Sequence, residues 1–80
     1  MNTYLIFDVN KPLMSSREIQ EGKSNADAAR KYAKKHYPNA KLRASGSNFV
    51  EIAAQECVIE GGKPLVKAWK RKTWFELTTE

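Results

Sequence analysis

The chain has one cysteine, Cys57, and one histidine, His36. A lone cysteine closes no internal disulfide, and without a Cys or His cluster no metal-ligand spacing forms. Unpaired cysteine usage of this kind fits a reducing compartment, so a cytoplasmic location is expected. Long apolar runs are also missing. None exceeds five residues, so the sequence predicts neither a membrane span nor a signal-peptide core. The first basic residue is Lys11, which gives the opening stretch none of the character of a transit peptide. Internal repeats, low-complexity tracts and linkers are absent, and 80 residues suffice for one domain but not two.

Catalytic motifs are lacking as well. There is no P-loop and no G-x-G-x-x-G, and Ser45-Gly46-Ser47 is not a nucleophile elbow but reads as a turn. His36 falls at the end of a predicted helix beside Lys34 and Lys35, where a helix dipole stabilises an edge histidine without giving it a catalytic role. Cys57 lies in a predicted strand and reads as a buried structural thiol. Glu51, Glu56 and Glu60 show no spacing that singles out an acid/base pair. The expectation is a protein that is not an enzyme, with no cofactor, no metal and no small-molecule substrate.

What is present is the composition of a folded domain: 41% hydrophobic residues and 10% aromatic ones, too apolar for a disordered tail. The net charge of +5 is unevenly spread. Residues 23–43 carry seven basic residues against the single acid Asp27, and residues 63–72 carry Lys63, Lys67, Lys70, Arg71 and Lys72 with no acid. Elsewhere the chain is acidic. Clustering of this kind suits an anion-facing surface, and it is also found on solvated helices.

Thr3–Val9 is rich in β-branched and aromatic residues and predicts a strand, with Leu5, Phe7 and Val9 on one face and Tyr4, Ile6 and Asp8 on the other. Arg17–Glu21 predicts a weaker strand closed by Gly22. Ser24 is a good N-cap, and Asp27 three residues later predicts a capping box. Asn25–His36 contains four alanines and no glycine or proline, which predicts a helix of about 12 residues ended by Tyr37-Pro38. Ala26, Ala29, Ala33 and His36 or Tyr37 form its expected core stripe, with Tyr32 at the margin. Lys41–Ala44, a turn at residues 45–48, and Phe49–Ile59 follow. Glu60-Gly61-Gly62-Lys63 predicts a tight hairpin, because adjacent glycines supply the positive φ angles of a primed turn. Leu65–Leu77 is expected to return as one long strand with a bulge near Lys70–Lys72 that turns Phe75 and Leu77 inward and Trp74 outward. The predicted fold is α+β: a single antiparallel sheet of four to five strands with one helix packed on one face, in the order β-(β)-α-β-β-β.

Two clusters carry the functional expectation. Arg30, Lys31, Lys34 and Lys35 share the solvent face of the helix, where like charges at i, i+4 repel. Phosphate or an acidic protein surface would offset that repulsion. Lys67, Trp69, Lys70, Arg71, Lys72 and Trp74 interleave aromatics with cations, as proteins that bind single strands do. At least one of the two tryptophans has a competing explanation as core. The leading expectation is a nucleic-acid-binding or nucleic-acid-associated module. The alternative is a protein-interaction module, an inhibitor or homodimer, using a bare sheet face with Tyr4, Ile6 and Trp69. The two basic clusters are expected on opposite sides of the molecule.

In size, basic character and element order the chain resembles, in outline, many small phage and mobile-element proteins, including some anti-CRISPR inhibitors. The resemblance is one of architecture and carries no residue across.

Overall fold

The apolar alternation at the start of the chain forms strand β1 (Asn2–Asp8), and the charged, alternating segment after it forms β2 (Arg17–Gly22). The structure, a computed structural model, describes residues 2–11, 17–44, 51–66 and 70–79. Helix α1 (Asn25–His36) follows, then β3 (Ala40–Ala44), β4 (Ile52–Glu60), β5 (Lys63–Val66) and β6 (Lys72–Thr79). All described strand pairings are antiparallel, in the order β2-β1-β4-β6-β3, with β5 on the far end of β4. One helix packed on a curled antiparallel sheet is the predicted α+β architecture.

The helix starts and stops where its caps require. The Asp27 N–H donates to the Ser24 hydroxyl at 3.1 Å, and the Asp27 carboxylate accepts in return from the Lys23 N–H at 2.9 Å. The return bond thus reaches one residue further back than a regular capping box. At the other end the Tyr37 N–H donates to the Ala33 carbonyl, and Pro38 follows. Gly22 permits the helix to start so close to β2: a Cβ there would lie 2.8 Å from the Ala28 backbone nitrogen. The β4–β5 hairpin turns at Gly61 (φ 59°) and Gly62 (φ 78°), as a primed turn needs.

The core lies between α1 and one sheet face. Tyr4 and Ile6 of β1, Ile52 and Ala54 of β4, and Phe75 of β6 meet Ala28, Ala29, Tyr32 and Ala33 of the helix. Two expectations are corrected here. Tyr4 (3% exposed) and Ile6 (fully buried) face the helix, so the assignment of these two residues to a protein-binding face does not hold. Tyr32 is central to the helix stripe, not marginal to it. The physical reason is shared: Asp8 lies on the Tyr4–Ile6 face, and the Tyr32 and Tyr37 hydroxyls donate to its carboxylate, which lets that face pack against the helix.

The predicted long return strand is two strands. Cys57 faces Val66 and Gln55 faces Lys72, so the register against β4 shifts by four residues between β5 and β6. The approach to β6 is pinned: Gln55 Nε2 donates to the Lys70 carbonyl at 3.1 Å, and Lys70 pairs with Glu56 at 2.6 Å. The shift does what the sequence required of it, leaving Phe75 buried at 4% and Trp74 exposed at 44%.

Candidate nucleic-acid interface

On the sheet face away from the helix, pairing register fixes which side chains are neighbours. Arg17 of β2 is opposite Phe7 of β1, Phe7 opposite Ala53 of β4, and Ala53 opposite Trp74 of β6. These four form one row across four strands. Phe7 is half-buried, Trp74 exposed, and the small Ala53 between them buried. Strands about 4.8 Å apart place the two aromatics about 10 Å from each other. Cations border them: Lys72 Nζ lies 4.4 Å from the Phe7 ring centroid and the Arg17 guanidinium 5.5 Å from it. Further along β3, Arg43 faces Glu76 and Lys41 faces Thr78, so both basic residues share this face at the sheet edge.

The helix face divides into two columns. Lys31 pairs with Asp27 at 3.4 Å, and Lys35 with Glu18 of β2 at 2.7 Å. Arg30 and Lys34 have no such ion pair among the described residues, and both are exposed. They line a shallow groove of about 400 Å³ between α1 and β3, together with Ala33, Pro38, Ala40, Lys41 and Leu42. The four helix cations expected to act together are therefore split between two sides.

Of the second predicted cluster, Lys72 and Trp74 are on the sheet face just described. Lys70 is held by Glu56, and Arg71 is exposed beside it, its carbonyl 3.4 Å from Asn25 Nδ2. Lys67 and Trp69 lie outside the described residues. Phe7 and Arg17 were not among the expected site residues. The signal for Phe7 was present in the alternation of Leu5, Phe7 and Val9, but the face was assigned the wrong way round.

A separate polar cluster joins β1, β2 and the end of α1. Asp8 Oδ2 accepts from Tyr32 at 2.8 Å and from Tyr37 at 2.7 Å, and Oδ1 accepts from the Asn10 N–H at 2.9 Å. Burial, then the bond to Asp8, drives both tyrosine hydroxyls upward in pKa. Tyr32 lies far above the ordinary phenol value, and Tyr37 is pushed up to about 12. Lys11 Nζ lies 3.1 Å from His36 Nδ1, and His36 Nε2 lies 2.7 Å from Glu18. Burial raises the Glu18 pKa, but the hydrogen bonds from Lys35 and His36 outweigh it and hold the carboxyl below its ordinary value. Burial raises the Cys57 thiol, with Glu56 adding to the effect, which keeps it from the thiolate form a nucleophile needs. The described polar side chains answer one another: no buried side-chain nitrogen or oxygen among them lacks a partner. This cluster ties the helix end to the sheet.

Comparison with protein-family models, curated proteins and solved structures found no match.

Proposed function

We propose that this domain is a non-catalytic module that binds single-stranded nucleic acid on the sheet face opposite the helix. The observation that carries the reading is the row Arg17–Phe7–Ala53–Trp74, flanked by Lys72. Bases stack on flat rings whatever their identity, at about 1–3 kcal/mol each, while cations neutralise phosphates. A cation resting on a half-buried ring such as Phe7 contributes about 0.5–2 kcal/mol. Exchange favours the ligand because a base takes the ring face while Lys72 or Arg17 moves to a phosphate. Duplex has no unstacked base to offer and meets this face only through its backbone.

Fluorescence anisotropy with a labelled oligothymidylate tests the proposal. Trp74→Ala and Phe7→Ala are each expected to weaken binding about 10-fold or more, within the stacking range. Unchanged affinity in both variants contradicts it.

A second reading, a protein-interaction module, draws on a different feature. Beyond the end of β1, residues 58–60 of β4 pair only with β5, and this ribbon exposes Ile59 (46%), Leu65 (48%) and Val66 (36%). Exposed apolar side chains grouped on an arm suit a protein partner or a second copy. Light scattering distinguishes the two: a dimer made monomeric by Leu65→Glu supports this reading, and a monomer at all concentrations speaks against self-association.

A further inference from the structure

The groove between α1 and β3 lies next to the sheet face and is joined to it by residues of β3. From β1 the row passes through β4 to β6, and β3 is the next strand and the sheet edge. Arg43 and Lys41 lie on the sheet face by register, yet Lys41 also borders the groove on the helix side. Around that edge the next cations are Lys34 and Arg30, one helical turn apart on the same groove wall. Lys31 and Lys35, on the other side of the helix, are committed to Asp27 and Glu18. Two carboxylates border the path: Glu76 on the sheet face opposite Arg43, and Glu51, whose Oε2 accepts from the Leu77 N–H at 2.9 Å.

We infer that the groove is a phosphate-binding extension of the sheet site, taking the backbone of the same single strand after it crosses the β3 edge. The inference rests on the proposed single-strand reading and adds a direction to it: bases lie on Phe7 and Trp74, and the strand leaves toward β3, not toward β2. Charge complementarity supports it. Arg30, Lys34 and Lys41 surround the groove, and none of its bordering residues is acidic. Its apolar lining, Ala33, Pro38, Ala40 and Leu42, offers contact to sugars but no aromatic ring for a base. The expected contacts are therefore with phosphate and sugar, independent of sequence.

The test compares two double variants with the same change in charge, Arg30→Gln/Lys34→Gln and Lys31→Gln/Lys35→Gln. Each is titrated with oligothymidylates of about 4 and about 12 nucleotides, a span that covers typical single-strand site sizes. The expected result is that Arg30→Gln/Lys34→Gln weakens the long oligonucleotide only. It also reduces the log–log salt slope for that ligand by about 1.4, about 0.7 for each lost phosphate contact. Lys31→Gln/Lys35→Gln is expected to leave both ligands unchanged. Equal weakening by the two doubles, or equal weakening of both lengths, overturns the groove assignment and leaves the sheet face standing. Loss of binding in Trp74→Ala identifies the sheet face independently. A wild-type protein that binds neither oligonucleotide overturns both.

Discussion

The Tyr32 hydroxyl donates to Asp8 Oδ2 at 2.8 Å across a core in which Tyr32 is fully buried and Asp8 is 1% exposed. This bond ties the middle of the helix to the end of β1, and Tyr37 reinforces it from the helix C-terminus at 2.7 Å. Removing the acceptor leaves two phenols competing for nothing, whereas removing one phenol leaves Asp8 two other donors. Asp8→Ala is therefore expected to cost about 3 kcal/mol and Tyr32→Phe about 1–2 kcal/mol. Urea unfolding followed by circular dichroism measures both. Equal costs for the two variants contradict a shared acceptor.

The same contact sets the behaviour in base. Tyr37 is raised to about 12, so its neutral form is favoured by folding. The stability it contributes is complete below its ordinary value of 10.0 and is lost as pH rises through about 12. Absorbance at the phenolate band should show late ionisation of Tyr37, with unfolding beginning above that ordinary value. Tyr37→Phe should remove its share of this loss.

In acid the sign reverses. Glu18 is held below its ordinary value of 4.5, so its contribution is present above that value and disappears as pH falls through the lower, folded value. Glu18→Gln is expected to flatten this part of the pH–stability curve while changing stability at neutral pH by about 1 kcal/mol or less, because the pairs are partly solvated. Denaturant midpoints at neutral and acidic pH provide the comparison. A curve as steep in the variant as in wild type contradicts the role of Glu18.

Gly22 tests the packing of β2 against the helix. A Cβ would meet the Ala28 backbone nitrogen at 2.8 Å, and backbone cannot swing aside as a flexible side chain does. Gly22→Ala is expected to destabilise by about 1–3 kcal/mol, the usual range for overpacking. Ser24→Ala, which removes the helix cap, is expected to cost about 1 kcal/mol. Thermal unfolding orders the two, and a neutral Gly22→Ala contradicts the close approach.

Much of the fold was legible because it depends on local chemistry. Ser24, Asp27 and the Tyr37-Pro38 step set the helix ends, and Gly61-Gly62 set the hairpin, each within a few residues of its effect. The outward placement of Trp74 followed from alternation once a break near Lys70 was allowed. The phase of β1 was not legible, because Asp8 is polar by type and buried by virtue of two tyrosines far along the chain. Nor was the division of the helix cations, since the partner of Lys35, Glu18, belongs to strand β2, outside the helix. The candidate interface suffers from the same non-locality: Arg17, Phe7 and Trp74 become neighbours only through strand pairing.

The most direct test of the single-strand account is a chemical-shift map of isotope-labelled protein titrated with an unlabelled oligothymidylate. The account predicts perturbations at Arg17, Phe7, Ala53, Lys72 and Trp74, continuing to Arg43 and Lys41, with Lys31 and Lys35 unaffected. Perturbations confined to the Lys31–Lys35 side of the helix, or none at all, would contradict it.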